Sequence, residues 1–66
     1  MNSFLSPREK DCLSWIAKGK SSWETANILG VAASTIDFHM RNVCHKLGVT
    51  RRQAAIAVAI RTGDLP

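Results

Sequence analysis

Ser34, Asp37, Phe38, Arg41 and His45 follow one another at spacings of three, one, three and four residues, which on a helix gathers them on one continuous face. Their side chains are of the kinds that read base edges in a major groove. Arg41 is the candidate for a bidentate pair of hydrogen bonds to guanine O6 and N7. Asp37 either accepts from cytosine N4 or orients Arg41, its i+4 neighbour. A solvated face would account for Ser34, Asp37 and Arg41 equally well, but it accounts poorly for Phe38. An aromatic ring aimed away from a core is more economically read as touching something, for instance a thymine methyl or a sugar edge.

Phosphate contacts form a second set. Lys20, Ser21, Ser22 and the free amides of a helix that opens there make an anion site, to which Trp23 adds an indole N–H unless it is a surface-packed aromatic. Thr35 falls beside the reading face. Lys46, Arg51 and Arg52 are placed to grip the flanking backbone at the far end of the reading helix. His39 sits at an apolar position, where a packed or capping histidine is a better reading than a ligand.

Little else in the chain suggests chemistry. Two His and five carboxylates form no spaced pair with a nucleophile, there is no phosphate-cradling Gly-rich loop, and a bundle this small offers no obvious cavity, so an enzyme is a distant reading. Cys12 and Cys44 have 31 residues between them and no CxxC or CxxH spacing, which argues for small buried hydrophobes and against a metal site or a disulfide framework. No metal and no cofactor is expected.

The elements that must position these residues read from their caps. Ser6-Pro7-Arg8-Glu9 is a capping box with Pro at the first helical position, predicting a helix over about 7–18 that turns Glu9, Cys12, Leu13, Ile16 and Ala17 to one side and stops at Gly19. Ser21-Ser22-Trp23-Glu24 repeats the box. It opens a short helix over about 22–29, carrying Thr25, Ala26, Ile28 and Leu29 and ending at Gly30. The reading helix spans about 33–47, with Ile36, Met40, Val43 and Leu47 as its buried stripe and Cys44 beside them. Thr50-Arg51-Arg52-Gln53 is read as a third box, starting a helix over about 51–62 that ends before Gly63. Val49-Thr50 is too short a β-branched cluster to pair, so the fold class is all-α, a four-helix bundle in one domain over 1–66.

Size and charge agree. A chain of 66 residues buries only about 60% of the surface its unfolded form exposes, so one small core is available and a deep cleft is not. Nine Lys and Arg against five Asp and Glu give +4, which favours a polyanionic partner. No apolar run approaches a membrane span, and residues 1–5 lack a basic-then-apolar signal pattern, so the expected location is the cytoplasm, without a membrane partner.

A short helix, a Gly and a long helix are the parts of a helix-turn-helix. Over the twenty residues from Ser22 to Arg41, the motif wants a small residue fifth, Gly ninth and a branched aliphatic fifteenth, and finds Ala26, Gly30 and Ile36. Ala26 permits close packing of the two helices, Gly30 takes the positive-φ turn, and Ile36 fills the angle between the axes. Leu29 and Val31 occupy the motif's other apolar positions.

With LSPRE, WxAxGKSSWE, TIxFHxRN and KLGV in place, the whole chain resembles the LuxR-type DNA-binding domain, also called GerE- or FixJ/NarL-type. GKSSWE and FHMRN make it most similar to the quorum-sensing branch, whose full-length members place an acyl-homoserine-lactone-binding domain before this module. The resemblance implies a bacterial, tetrahelical transcription regulator that reads inverted-repeat operators in double-stranded DNA, with RNA polymerase as a further candidate partner. It also implies a homodimer through the fourth helix, weak in the isolated domain, for which Ala54, Ala57, Val58 and Arg61 are the candidates. Arg52, Ile56, Ala59 and Ile60 gather on the opposite side of that helix. Three residues depart from the family pattern: Ala32 replaces a Ser or Thr cap, Asp37 a basic or neutral contact residue, and Thr25 an aliphatic, leaving a buried hydroxyl that must find a carbonyl. The alternative function is a protein-interaction adaptor using the seven consecutive apolar residues from Ala54 to Ile60, which would not need the Lys20, Arg41, Lys46, Arg51 and Arg52 set.

Overall fold

Two capping boxes set the beginning of the fold. In the computed structural model, which describes residues 5–66, Ser6 Oγ accepts from the Glu9 amide at 3.2 Å while the Glu9 carboxylate accepts from the Ser6 amide at 2.9 Å. This opens α1 (Pro7–Ala17), and the same reciprocal pair between Ser21 and Glu24 opens α2 (Ser22–Leu29). Both boxes lie where the sequence puts them. The N-terminal stretch read above for a targeting signal lies mostly outside the described residues.

Gly30, at φ +71°, closes α2, and the Val31 amide turns back onto the Ala26 carbonyl, so the chain reverses directly into α3 (Ala33–Leu47). Ala32 is the N-cap of α3 and supplies no side-chain bond, as its departure from the family pattern implies. The fourth helix, α4 (Arg52–Thr62), begins one residue later than the proposed box requires: Arg51 is its N-cap, again with no side-chain cap. Tertiary bonds accompany that start, because Arg52 at the first helical position reaches Ser22 and Asp37. Among the described residues there is no strand.

Helix α3 packs against each of the other three, with Ile36, Met40 and Val43 fully buried at its centre. Cys12, Leu13 and Ile16 of α1, Ala26 of α2, and Ala55 and Ala59 of α4 complete the core with Leu5 and Leu65. Leu65, not foreseen as a core residue, is drawn in by a bond from its amide to the Ala59 carbonyl.

The helix faces differ in three places from the groupings read in sequence. Ala17, the last residue of α1, is exposed, and Ile28 is 46% exposed because Thr25, Ala26 and Leu29 take the inner side of α2. On α4 the buried line is Ala55 and Ala59, with Ile56 beside it, while Ile60 is 53% exposed. Two alanines one turn apart let α4 approach the bundle closely, and that rotation carries the larger Ile60 outward.

The Thr25 hydroxyl is fully buried and has no hydrogen-bond partner, so the carbonyl it needs is not supplied. Thr25→Val keeps the branched shape and removes the orphan, and is expected to raise stability by about 1 kcal/mol in urea unfolding. An unchanged or lower midpoint would show that the hydroxyl is satisfied in solution.

Glu9 Oε1 also accepts from Lys46 Nζ at 2.7 Å, tying α1 to the last turn of α3. Burial pushes the Glu9 carboxyl up, but the Lys46 and Ser6 hydrogen bonds and the Lys46 charge reverse this, and its pKa falls below the ordinary 4.5. The stability it contributes is therefore complete above pH 4.5 and is lost as the pH falls through the lower folded-state value. Glu9→Gln is expected to cost about 1 to 2 kcal/mol at neutral pH, short of a fully buried pair because Lys46 is partly exposed. In thermal melts the gap between the two proteins should close as the pH is lowered; a constant gap would rule out the charge as its source.

Candidate nucleic-acid interface

The buried stripe of α3 dictates what the other side presents. Ser34, Asp37, Phe38, Arg41 and His45 are all exposed, on one outward face. Phe38 is 55% exposed, and its ring is steadied edge-on by His39 at 5.8 Å between centroids. His39 is half-buried, as a packed residue should be.

Asp37 does not orient Arg41 by a hydrogen bond. Its Oδ1 instead accepts from Ser22 Oγ and from Arg52 Nη2, both at 2.6 Å, and Arg52 Nη1 donates to Ser22 Oγ at 2.7 Å. Residues assigned separately to base and phosphate contact thus meet in one closed triangle. The Ser22 and Arg52 bonds, with smaller help from the Arg52 and Arg41 charges, hold the Asp37 carboxyl below its usual range. Helices α2 and α4 have no close backbone approach, so the Ser22–Arg52 bond joins two otherwise separate elements.

At the start of α2 the expected anion site already holds an anion. Glu24 accepts from the Ser21 amide, which lowers its pKa, and Ser21 Oγ is engaged by the Glu24 amide. Left at that end are the Ser22 and Trp23 amides, which as first and second helical residues have no intrahelical acceptor. Lys20 is exposed, Trp23 is 69% exposed and not packed onto the surface, and Thr35 is half-buried. Arg51 is exposed, whereas Lys46 is held by Glu9 and acts first as a brace between helices.

An open concavity of about 560 Å³ between α3 and the start of α4 runs past Asp37, Arg41, Cys44, His45, Thr50 and Arg52, where the sequence suggested none. It is a feature of the loop between the two helices, which helix periodicity cannot describe. On α4 the dimer candidates divide, with Ala57 and Arg61 exposed and Ala54 and Val58 half-buried; Ile60, grouped by sequence with Arg52, Ile56 and Ala59 on the opposite side, is exposed as well. Among the described residues no group of His, Cys, Asp and Glu could hold a metal, and no helix is long and apolar enough to cross a membrane.

A family model for bacterial regulatory proteins of the luxR family matches residues 3–59. The chain belongs to the LuxR family. It is that family's helix-turn-helix DNA-binding domain, and the family is one of transcription regulators rather than enzymes. The chain is 49% identical over 59 residues to the transcriptional activator protein VanR of Vibrio anguillarum, covering 89% of this chain and 25% of that one. To the transcriptional activator protein LuxR of Aliivibrio fischeri it is 47% identical over 64 residues, 97% of this chain and 26% of that one. The quorum sensing-dependent regulator VjbR of Brucella abortus is 42% identical over 66 residues, 97% of this chain and 26% of its own. The chain therefore spans about a quarter of the length of these LuxR-type relatives. A solved structure of the transcription factor GerE superposes with a TM-score of 0.93 at 29% identity, covering 98% of this chain and 97% of that one.

Proposed function

We propose that the domain binds double-stranded DNA sequence-specifically, with α3 in the major groove, as the C-terminal output module of a quorum-sensing-type regulator acting in the cytoplasm. The observation that carries this reading is the division of α3 into a buried Ile36, Met40 and Val43 side and an exposed Ser34, Asp37, Phe38, Arg41 and His45 side. A major groove admits one helix, and this face offers it donors, an acceptor and an apolar ring. Lys20, Ser21, Ser22, Trp23, Thr35, Lys46, Arg51 and Arg52 frame that face as the phosphate-contacting set. Similarity to two transcriptional activators and a quorum sensing-dependent regulator supports the regulatory setting, in which RNA polymerase is a further partner.

Dimerisation on an inverted repeat is part of the proposal. Ala57 and Arg61, with Ala54 and Val58 at the margin and Ile60 exposed alongside, give α4 a small apolar outer surface. A patch of a few hundred Å² falls below the roughly 1,200 Å² of stable interfaces, so the isolated domain pairs weakly and firmly only on DNA. The two-fold then sets half-sites about 10 to 10.5 base pairs apart, centre to centre.

Neutralising about five phosphates per subunit should make log K fall with log salt at a slope of about −4 to −5 per subunit. A near-flat response would instead favour the adaptor reading. Within that frame, Arg41→Ala is expected to relax base choice at one position per half-site at a cost of about 1 to 3 kcal/mol, while Lys20→Ala weakens all duplexes alike. Equal losses on specific and random duplex would reduce Arg41 to a phosphate contact.

Ala57→Asp tests the dimer surface, because the exposed site leaves the bundle unaltered. The helical circular dichroism should stay as it is while cooperative occupancy of a palindromic duplex disappears. Surviving cooperativity would move the dimer to another surface.

A further inference from the structure

Asp37 is an odd residue to aim at a polyanion, yet it stands on the exposed face of α3 beside Phe38 and one turn from Arg41. Its environment is built. Both bonds that it accepts, from Ser22 Oγ and Arg52 Nη2, land on the same oxygen, Oδ1, and the two donors are themselves joined through Arg52 Nη1. Ser22 belongs to α2 and Arg52 to α4, so the carboxylate of the central helix is fixed by two elements that have no close backbone approach to each other. Oδ2 takes part in neither bond.

Resting on the DNA-binding reading, we propose that Asp37 is a specificity-determining acceptor for a cytosine N4 amine, and that Ser22 and Arg52 are the positioning residues that aim it. A carboxylate can only accept, so it is complementary to a donor edge and repelled by guanine O6 and N7 and by thymine O4. Adenine has a donor at N6 but places the N7 acceptor beside it, whereas the cytosine edge has no neighbouring acceptor. Arg52 supplies the positive charge that lets a carboxylate approach the phosphates, and two of its five N–H donors are used in the triangle. The remaining three are available to a phosphate oxygen. Ser22, by contrast, directs its only proton at Asp37, so its hydroxyl serves the carboxylate rather than the DNA backbone.

The test is selection of bound duplexes from a library with a randomised half-site, scored as relative affinity for each base at each position. It is carried out with the wild-type chain and with Asp37→Ala, Asp37→Asn and Arg52→Lys, each checked for helical circular dichroism. The wild type should favour cytosine at one position by about 5- to 100-fold. Asp37→Ala should flatten that position to within about twofold and leave the others unchanged. Asp37→Asn, whose amide both donates and accepts, should shift the same position toward adenine, matching N6 and N7 together. Arg52→Lys keeps the charge but lacks the planar fork that holds Ser22 and Asp37 at once, so it should lose the cytosine preference when that position is scored against the others of the same half-site. The proposal is overturned if Asp37→Ala keeps the preference, if it tightens every duplex equally, or if Arg52→Lys leaves base choice intact. A wild-type chain with no base preference at any position and a flat salt response would overturn the DNA-binding reading itself, a result separate from these.

Discussion

One carboxylate oxygen holds the bundle in register. Glu9 Oε1 takes the Ser6 amide and the Lys46 ammonium together, so the group that begins α1 also fastens the end of α3. Its side chain is 6% exposed, and a charge so placed is tolerable only with such partners. The consequence reaches the function. Every exposed residue of α3 is displayed at an angle fixed by how α3 lies on α1, and the apolar contacts of Leu13, Ile16, Met40 and Val43 are not directional enough to set that angle alone.

The Asp37 triangle is the counterpart on the other side of α3. Glu9 clamps the helix near residue 46 and Ser22 and Arg52 clamp it at residue 37, so the stretch that carries Phe38 and Arg41 is spanned between two ionic fixings. A helix face held from both ends needs little reorganisation when a partner meets it. The turn itself is locally weak: Ala32 gives α3 no side-chain cap, and the Thr25 hydroxyl is buried without a partner. Packing of Ala26 and Ile36 and the bond from Ser22 to Asp37 hold α2 on α3 despite those two deficits.

What the sequence made legible follows from range. Ser6 with Glu9 and Ser21 with Glu24 act across three residues, so both helix starts were readable, as were the Gly30 turn and the two sides of α3, where period and polarity agree. Helix α4 was not, because seven apolar residues in a row carry no periodicity, and the choice of Ala55 and Ala59 over Ile60 is made by how closely the other helices allow it to approach. Its start was misplaced for a related reason: Arg52 is positioned by bonds to residues 15 and 30 places away, and no local pattern reports them. Lys46 was legible as a cation at the end of the reading helix but not as the partner of Glu9, 37 residues earlier.

The two ionic fixings differ in shelter, and that difference orders their response to the medium. The Glu9 side chain is 6% exposed and the Asp37 side chain 49%, while the two cations, Lys46 and Arg52, are alike at 37% and 38%. Mobile ions screen exposed pairs far more than sheltered ones, with a Debye length of about 8 Å at physiological ionic strength. Salt therefore screens the surface cations and loosens the Asp37 triangle at the middle of α3. The Glu9 anchor, whose carboxylate is sheltered, is screened less. Acid acts on both fixings, since protonating Glu9 releases the anchor between α1 and α3 and protonating Asp37 opens the triangle. A basic domain with few carboxylates has thus placed two of them where each restrains the one helix that packs against all three others.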